Sequence, residues 1–313
     1  MNDILPIILS FVNDGTTYKS CILCCKRFWK YFEPNHQYYV NKYSNHLLTL
    51  IKTFPKEYWF HVNIIENPNV SWDFIIANFD LRKRILSISK NINITWKIIM
   101  KYSNLHWDFK SISRNPNIRW KHIYKNPQYS WNAFEVSRNP NITWNIVIKY
   151  PYYDWDFRGL SCNINITWNI ILTYSQYEWC PRYVSCNPNI TWDIIKQHPK
   201  YPWEFKYLSF NKNITWDIIS SNPQYNWNSY NVSRNPNIDW NIVENNQNYP
   251  WSPQGLARNP NITFDIMIKN PQIGWSKFDI SVNPNITWQI VKDNPEIDWD
   301  YFALSMNKFS KKK

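Results

Sequence analysis

Apolar and polar residues along this chain fall into a block that returns every 24 residues, from Asn67 to Val291. One copy reads Asn139-Pro140-Asn141-Ile142-Thr143-Trp144-Asn145-Ile146-Val147. A fixed period of this size is the mark of a stacked array, in which each unit buries its apolar face against its neighbours. Two tryptophan series give the register. The first runs from Trp72 through Trp144 to Trp288, with Phe264 as its one substitution. The second runs from Trp59 through Trp155 to Trp299, with Lys83 as its one substitution. Of the 20 Trp residues, 19 lie on these series, and Trp29 alone is off register. The spacing between series alternates 11 and 13, so each unit divides into two halves of about a dozen residues.

Each half reads as a short helix. Thr143 stands where a side-chain oxygen caps free backbone N–H groups, and Ile142 and Val147 have the spacing of a hydrophobic staple. Pro151 and Pro199 end first helices. In the second half Ser130 is the expected cap, Trp131, Phe134 and Val136 point inward, and Ser137-Arg138-Asn139-Pro140 forms the exit turn. Asn fills two columns without exception, Asn67 to Asn283 and Asn69 to Asn285, and its amides are placed to bond neighbouring turns. Helices this short do not persist alone. They require Trp, Ile and Phe to be buried between units. A β-solenoid is disfavoured, because Thr-Trp-Asp-Ile-Ile lacks a sustained period of two and Pro interrupts most units. The reading is all-α: an α-solenoid of about ten two-helix repeats, extended like a spring.

Composition narrows the picture. Gly is scarce, at 4, against 20 Pro, which suits rigid turns rather than flexible linkers. No apolar run reaches the length of a membrane helix, and Ile4 to Val12 lacks the basic leader of a signal peptide. The six Cys have no metal spacing and are expected to be reduced thiols. Glycans on the repeated Asn-Ile-Thr sequons would obstruct helix caps, which argues against a secreted protein. A cytoplasmic setting follows as the expectation. The domain division is 1–32, a small helical unit outside the repeat; 33–66, a helical connector with a degenerate first repeat; 67–306, the array; and 307–313, a basic tail.

The N-terminal segment carries a resemblance. Leu5-Pro6, then Ile8-Leu9 and Phe11-Val12, then Cys21-Ile22-Leu23-Cys24-Cys25-Lys26-Arg27-Phe28-Trp29 are similar to an F-box. Ile7 and Ile8 stand where that family commonly has an acidic residue. The resemblance covers roughly the first tenth of the chain. It implies docking on the Skp-type adaptor of a cullin–RING ubiquitin ligase, with Leu5, Pro6, Ile8, Leu9, Val12 and Leu23 as contact positions. The remainder of the chain resembles Trp- and Asn-rich repeat proteins of large DNA viruses, some of which also carry an F-box. That likeness implies the host cytoplasm as the setting and no defined chemistry.

Catalytic signatures are absent from the sequence. Four scattered Gly residues build no phosphate loop, and the six His residues pair with neither Cys nor acid at a metal spacing. Asp73, Asp193, Asp217 and Asp265 read as helix-start residues that complement the helix dipole. No cofactor or metal is expected, and the chain reads as a binding protein rather than an enzyme. The net charge of +12 permits acidic partners. Lys101, Lys125 and Lys149 share one column, and Lys90, Arg114 and Arg138 share another, which Arg234 and Arg258 resume after Cys162, Cys186 and Phe210. The expected partners are the Skp-type adaptor and a protein target held by the array. The alternatives are nucleic acid tracked by the two basic columns, or a purely structural interaction solenoid.

Overall fold

The structure is a computed structural model, and it describes residues 46–57 and 59–309. The F-box-like positions and the last four residues lie outside this range. The described residues contain 22 α-helices and no strand. The helices alternate in two sets, which gives ten pairs over 67–306, as expected, and one pair before them. His46–Thr53 and His61–Glu66 make the first pair, so the connector predicted over 33–66 supplies a full unit.

First helices begin where predicted, at the residue after the Ser/Thr column. The hydroxyls of Ser71, Thr95, Thr191, Thr263 and Thr287 accept from the backbone N–H three residues on. Arg119 has no such oxygen, and its backbone N–H instead donates to Nδ1 of His122 at 3.1 Å. Burial, then Lys121 and Arg119, hold the His122 pKa below its ordinary value, which keeps that nitrogen free to accept.

Second helices depart from the prediction: Ser130 is not the cap. The helix starts at Ala133, capped by Asn132, whose side chain accepts from Glu135 N–H. The cause is the tryptophan. Trp131 Nε1 donates to Asn126 O at 2.9 Å, and every second-series indole does the same five residues back, from Trp59 to Trp299. That bond holds the preceding residues in a turn and delays the helix. Where Lys83 replaces the indole, the turn is gone and the helix Leu81–Lys90 is 10 residues long.

Units are joined by apolar packing and by two side-chain ladders. The residue three before the ladder Asn, such as Val136 or Leu160, is buried in every unit but that of the half-buried Ile280, and the Ile or Val three after it is buried as well. First-series indoles pack on second-series indoles of the next unit, with centroids 5.1 Å apart for Trp120–Trp155 and for Trp168–Trp203. The Asn amides run through this layer. Asn163 Nδ2 donates to Ser137 O at 2.8 Å, Asn139 O at 3.1 Å and Ile142 O at 3.2 Å, while its Oδ1 accepts from Asn165 N–H. Asn165 Nδ2 donates to Pro140 O and Ile142 O. Asn139 O also accepts from Ile142 N–H, but the bonds that run from unit to unit come from these amides, so the two Asn columns stand in for main-chain pairing between units. The sequon amides are therefore already engaged as structural donors.

The second ladder is serine. Two residues before the Asn stands a buried Ser whose Oγ accepts a backbone N–H from the next unit, as Ser137 does from Asp156 at 2.9 Å. Two units lack the hydroxyl, and both compensate. Beside Ala257, Ser276 N–H turns to Asp279 Oδ2. Beside Ile65, the partner residue Arg84 lies within the extended Leu81–Lys90 helix.

The ends of the array meet. Asn67 Nδ2 donates to Ser305 O at 3.1 Å and to Asn307 O at 2.9 Å, 238 and 240 residues away. Phe60 N–H donates to Ser305 Oγ at 3.1 Å, and Asn69 Nδ2 donates to Lys308 O. These repeat the Asn and Ser bonds that join internal units, with the last unit standing before the first. Trp59 packs edge-on against Tyr301 at 5.0 Å, and Phe60 against Phe302 at 4.9 Å. The molecule is therefore not the open spring that its period suggests. It is an α-solenoid closed into a ring of eleven units.

In a closed double-layered ring the inner layer is the crowded one. Among the described helices, neighbouring second helices pack closely around most of the circle, whereas first helices pack comparably closely only at the seam. The second helices are thus the inner wall. Their closest approaches occur at Gly159 and Gly255, where an added Cβ would stand 2.9 Å from Ser137 Cβ and 2.7 Å from Ser233 Cβ. Glycine brings these neighbouring helices together and helps set the local curvature.

Candidate functional site: the two walls of the ring

A ring of short helices leaves two surfaces for a partner. At 3.6 residues per turn, the residues one and five before each ladder Asn point away from the buried residue three before it. On second helices that direction is the inner wall. Contacts between units confirm that these columns form one surface. Lys90 Nζ pairs with Glu66 at 3.0 Å, Arg234 lies over Phe210 at 4.7 Å, and Arg258 pairs with Asp279 at 3.6 Å. Arg158 lies over Phe134 at 5.9 Å, and Arg182 lies over Tyr207 at 4.5 Å. The Asp156 carboxyl is held below its ordinary range, first by its hydrogen bond from Arg158.

The two basic columns predicted from sequence do not share a face. Lys90, Arg114 and Arg138 stand on the inner wall. Lys101, Lys125 and Lys149 stand at or just beyond the ends of first helices, in the outer layer, where Lys101 and Lys149 lie over Tyr102 and Tyr150. The six adaptor-contact positions, Leu5 to Leu23, lie outside the described residues.

The outer wall carries clefts between successive turns that join first to second helices. One of about 790 Å³ is lined by Trp120, Tyr124, Tyr150, Pro151, Tyr152 and Tyr153, and a cleft of the same size recurs at Trp216, Tyr225, Trp227 and Tyr249. Tyr152 is fully exposed, while Tyr153 is half-buried. Burial, more than the neighbouring Asp154, pushes the Tyr153 phenol up to about 12, and burial likewise pushes Tyr201 to about 12. An unfolded tyrosine ionises near about 10. The folded ring therefore keeps protons that the unfolded chain releases, so stability is full below pH 10 and falls as pH rises toward 12. Phenolate absorbance in an alkaline titration is expected to show these two rings ionising together with unfolding; ionisation of all tyrosines near 10 in a folded protein would contradict it.

Among the described residues no three His, Cys, Asp or Glu side chains gather in a metal-holding group, and no helix is long and apolar enough to cross a membrane. Burial holds the Cys162 thiol above its ordinary value, away from thiolate chemistry. Comparison with family models, with curated proteins and with solved structures finds no match. Fold and surfaces together define a closed α-solenoid with a constant hydrogen-bonded frame and variable walls. The serine ladder and the inner-wall residues five before each Asn escaped the sequence reading. Both are columns of the same period, visible once the 24-residue blocks are aligned.

Proposed function

We propose that this protein is a substrate receptor: its F-box-like N-terminus docks on the Skp-type adaptor of a cullin–RING ubiquitin ligase, and the ring holds a protein target. The observation that carries the reading is the division of labour within each unit. The Asn pair recurs unchanged from Asn67 to Asn283, whereas the position just before it, half-buried or exposed, holds Glu66, Lys90, Cys162, Phe210, Val282 and Met306. A fixed frame presenting changing side chains is how repeat proteins bind. Leu5, Pro6, Ile8, Leu9, Val12 and Leu23 support the docking half through their F-box-like order and spacing. The chain on this reading binds rather than catalyses, and it works in the cytoplasm, that of the host if its source is a virus.

Co-purification with the adaptor tests the proposal. The full chain is expected to retain it, with Leu9→Asp and Pro6→Ala together weakening the complex more than tenfold, on the order of 1.4 kcal/mol or more. No complex, or one indifferent to both substitutions, removes the ligase role. A chain starting at His46 keeps the ring and should lose the adaptor.

A further inference from the structure

The inner wall carries a basic arc that no single column reveals. The residue one before the ladder Asn is a cation at Lys90, Arg114, Arg138, Arg234 and Arg258, with a gap at Cys162, Cys186 and Phe210. In those three units the cation stands four residues earlier, as Arg158, Arg182 and Lys206. Four residues is about one helical turn, so the substitute occupies the same face. Lys110 adds a second cation in the unit of Arg114. Eight consecutive units thus present at least one cation each. The arc stops at the three units around the seam, whose corresponding residues are Phe278 and Val282, Phe302 and Met306, and Val62 and Glu66.

The residue types sharpen the reading. Six of the chain's ten Arg stand on this wall, but only three of its 25 Lys. Arginine presents a planar fork suited to phosphate oxygens, and it stacks on rings. Arg182 and Arg234 lie over Tyr207 and Phe210, which fixes their planes. Carboxylates pair only with Lys90, Arg158 and Arg258 among the nine, counted among the described residues. Tyr230, 36 % exposed, and Phe210, 43 % exposed, offer apolar ring surface within the arc. Eleven helices packed about 9 Å apart enclose a channel on the order of 20 Å wide.

From this arrangement we propose that the inner wall binds a single strand of nucleic acid, its phosphates following the arc and its bases meeting the exposed rings. A cation in each of eight successive units matches a polymer whose charge repeats regularly, which an acidic protein surface does not offer. Cationic tracks with interleaved aromatic rings bind single strands by this combination. The inference stands apart from adaptor docking, which uses the other end of the chain.

The test is fluorescence anisotropy of the full chain with a labelled single-stranded oligonucleotide, a duplex of the same length and poly-glutamate. The single strand is expected to bind best, with affinity falling steeply as salt rises. Arg114→Gln, Arg138→Gln and Arg182→Gln together should weaken binding at least tenfold and reduce the salt slope by about 2. Lys101→Gln, Lys125→Gln and Lys149→Gln, the same charge removed from the outer layer, should change affinity less than twofold. All six side chains are exposed, so each triple variant is expected to fold, which a melting curve of each checks. Absence of binding, equal losses in the two triple variants, or equal or tighter binding of duplex or poly-glutamate each overturns the proposal.

Discussion

Joining Phe309 to His46 by a peptide bond is expected to stabilise the ring spanning 46–309 by about 5 kcal/mol. The repeat phase makes the junction natural. Residue 309 lies two after Asn307, and Asn307 lies one unit before Asn67 around the ring, as the bonds to Asn67 show. One more step therefore arrives at the start of the first described helix, His46–Thr53. The native state gives up little, because Trp59, Phe60 and Asn67 already hold the seam. The unfolded chain gives up much more, since closing so long a loop removes on the order of 5 kcal/mol of its conformational freedom. For an array of this size that corresponds to a rise in melting temperature on the order of 10 °C. Thermal unfolding of the linear 46–309 chain beside its backbone-cyclised form makes the comparison. An open solenoid would instead be bent or broken by the same bond, so a cyclised form that melts lower would contradict closure.

The period, the helix class and the inward tryptophans are legible because each depends on neighbours in sequence or one repeat away. Thr95 and Trp96 announce a helix start whatever happens elsewhere. Closure is not legible, because it depends on a small turn at each interface summed over eleven of them. That turn is set by details such as how closely Gly159 lets one second helix approach another. A single column also misleads about charge. The inner arc looks broken at Cys162, Cys186 and Phe210 until the helix brings Arg158, Arg182 and Lys206 onto the same face. Ser130 resembles the caps of the first helices by position beside a Trp. It fails as one because the indole N–H of Trp131 reaches back to Asn126 and the next residue takes the role. The adaptor positions depend on resemblance alone, so they are legible as motif and not as geometry.

Asn163→Asp is expected to destabilise the ring more than Asn163→Ala at neutral pH, although aspartate is the closer match in shape. The Asn163 amide lies fully buried against three backbone carbonyls. Alanine removes the donors; Asn139 O keeps Ile142 N–H and Ile142 O keeps Asn165 Nδ2, so the loss falls on Ser137 O and on Asn165 N–H, at about 3 kcal/mol. Ionised aspartate adds a negative charge facing the same three oxygens in a dry site, and the alternative is to keep its proton. A protonated carboxyl donates one hydrogen bond, so the folded variant holds a proton that the unfolded chain releases above about pH 4. The sign follows: the aspartate variant gains stability as pH falls toward that value, and the alanine variant does not. Urea unfolding of both variants at neutral and mildly acid pH separates the two. Equal midpoints and equal pH dependence would mean that water reaches the ladder, and the ladder would then no longer account for how neighbouring units hold together.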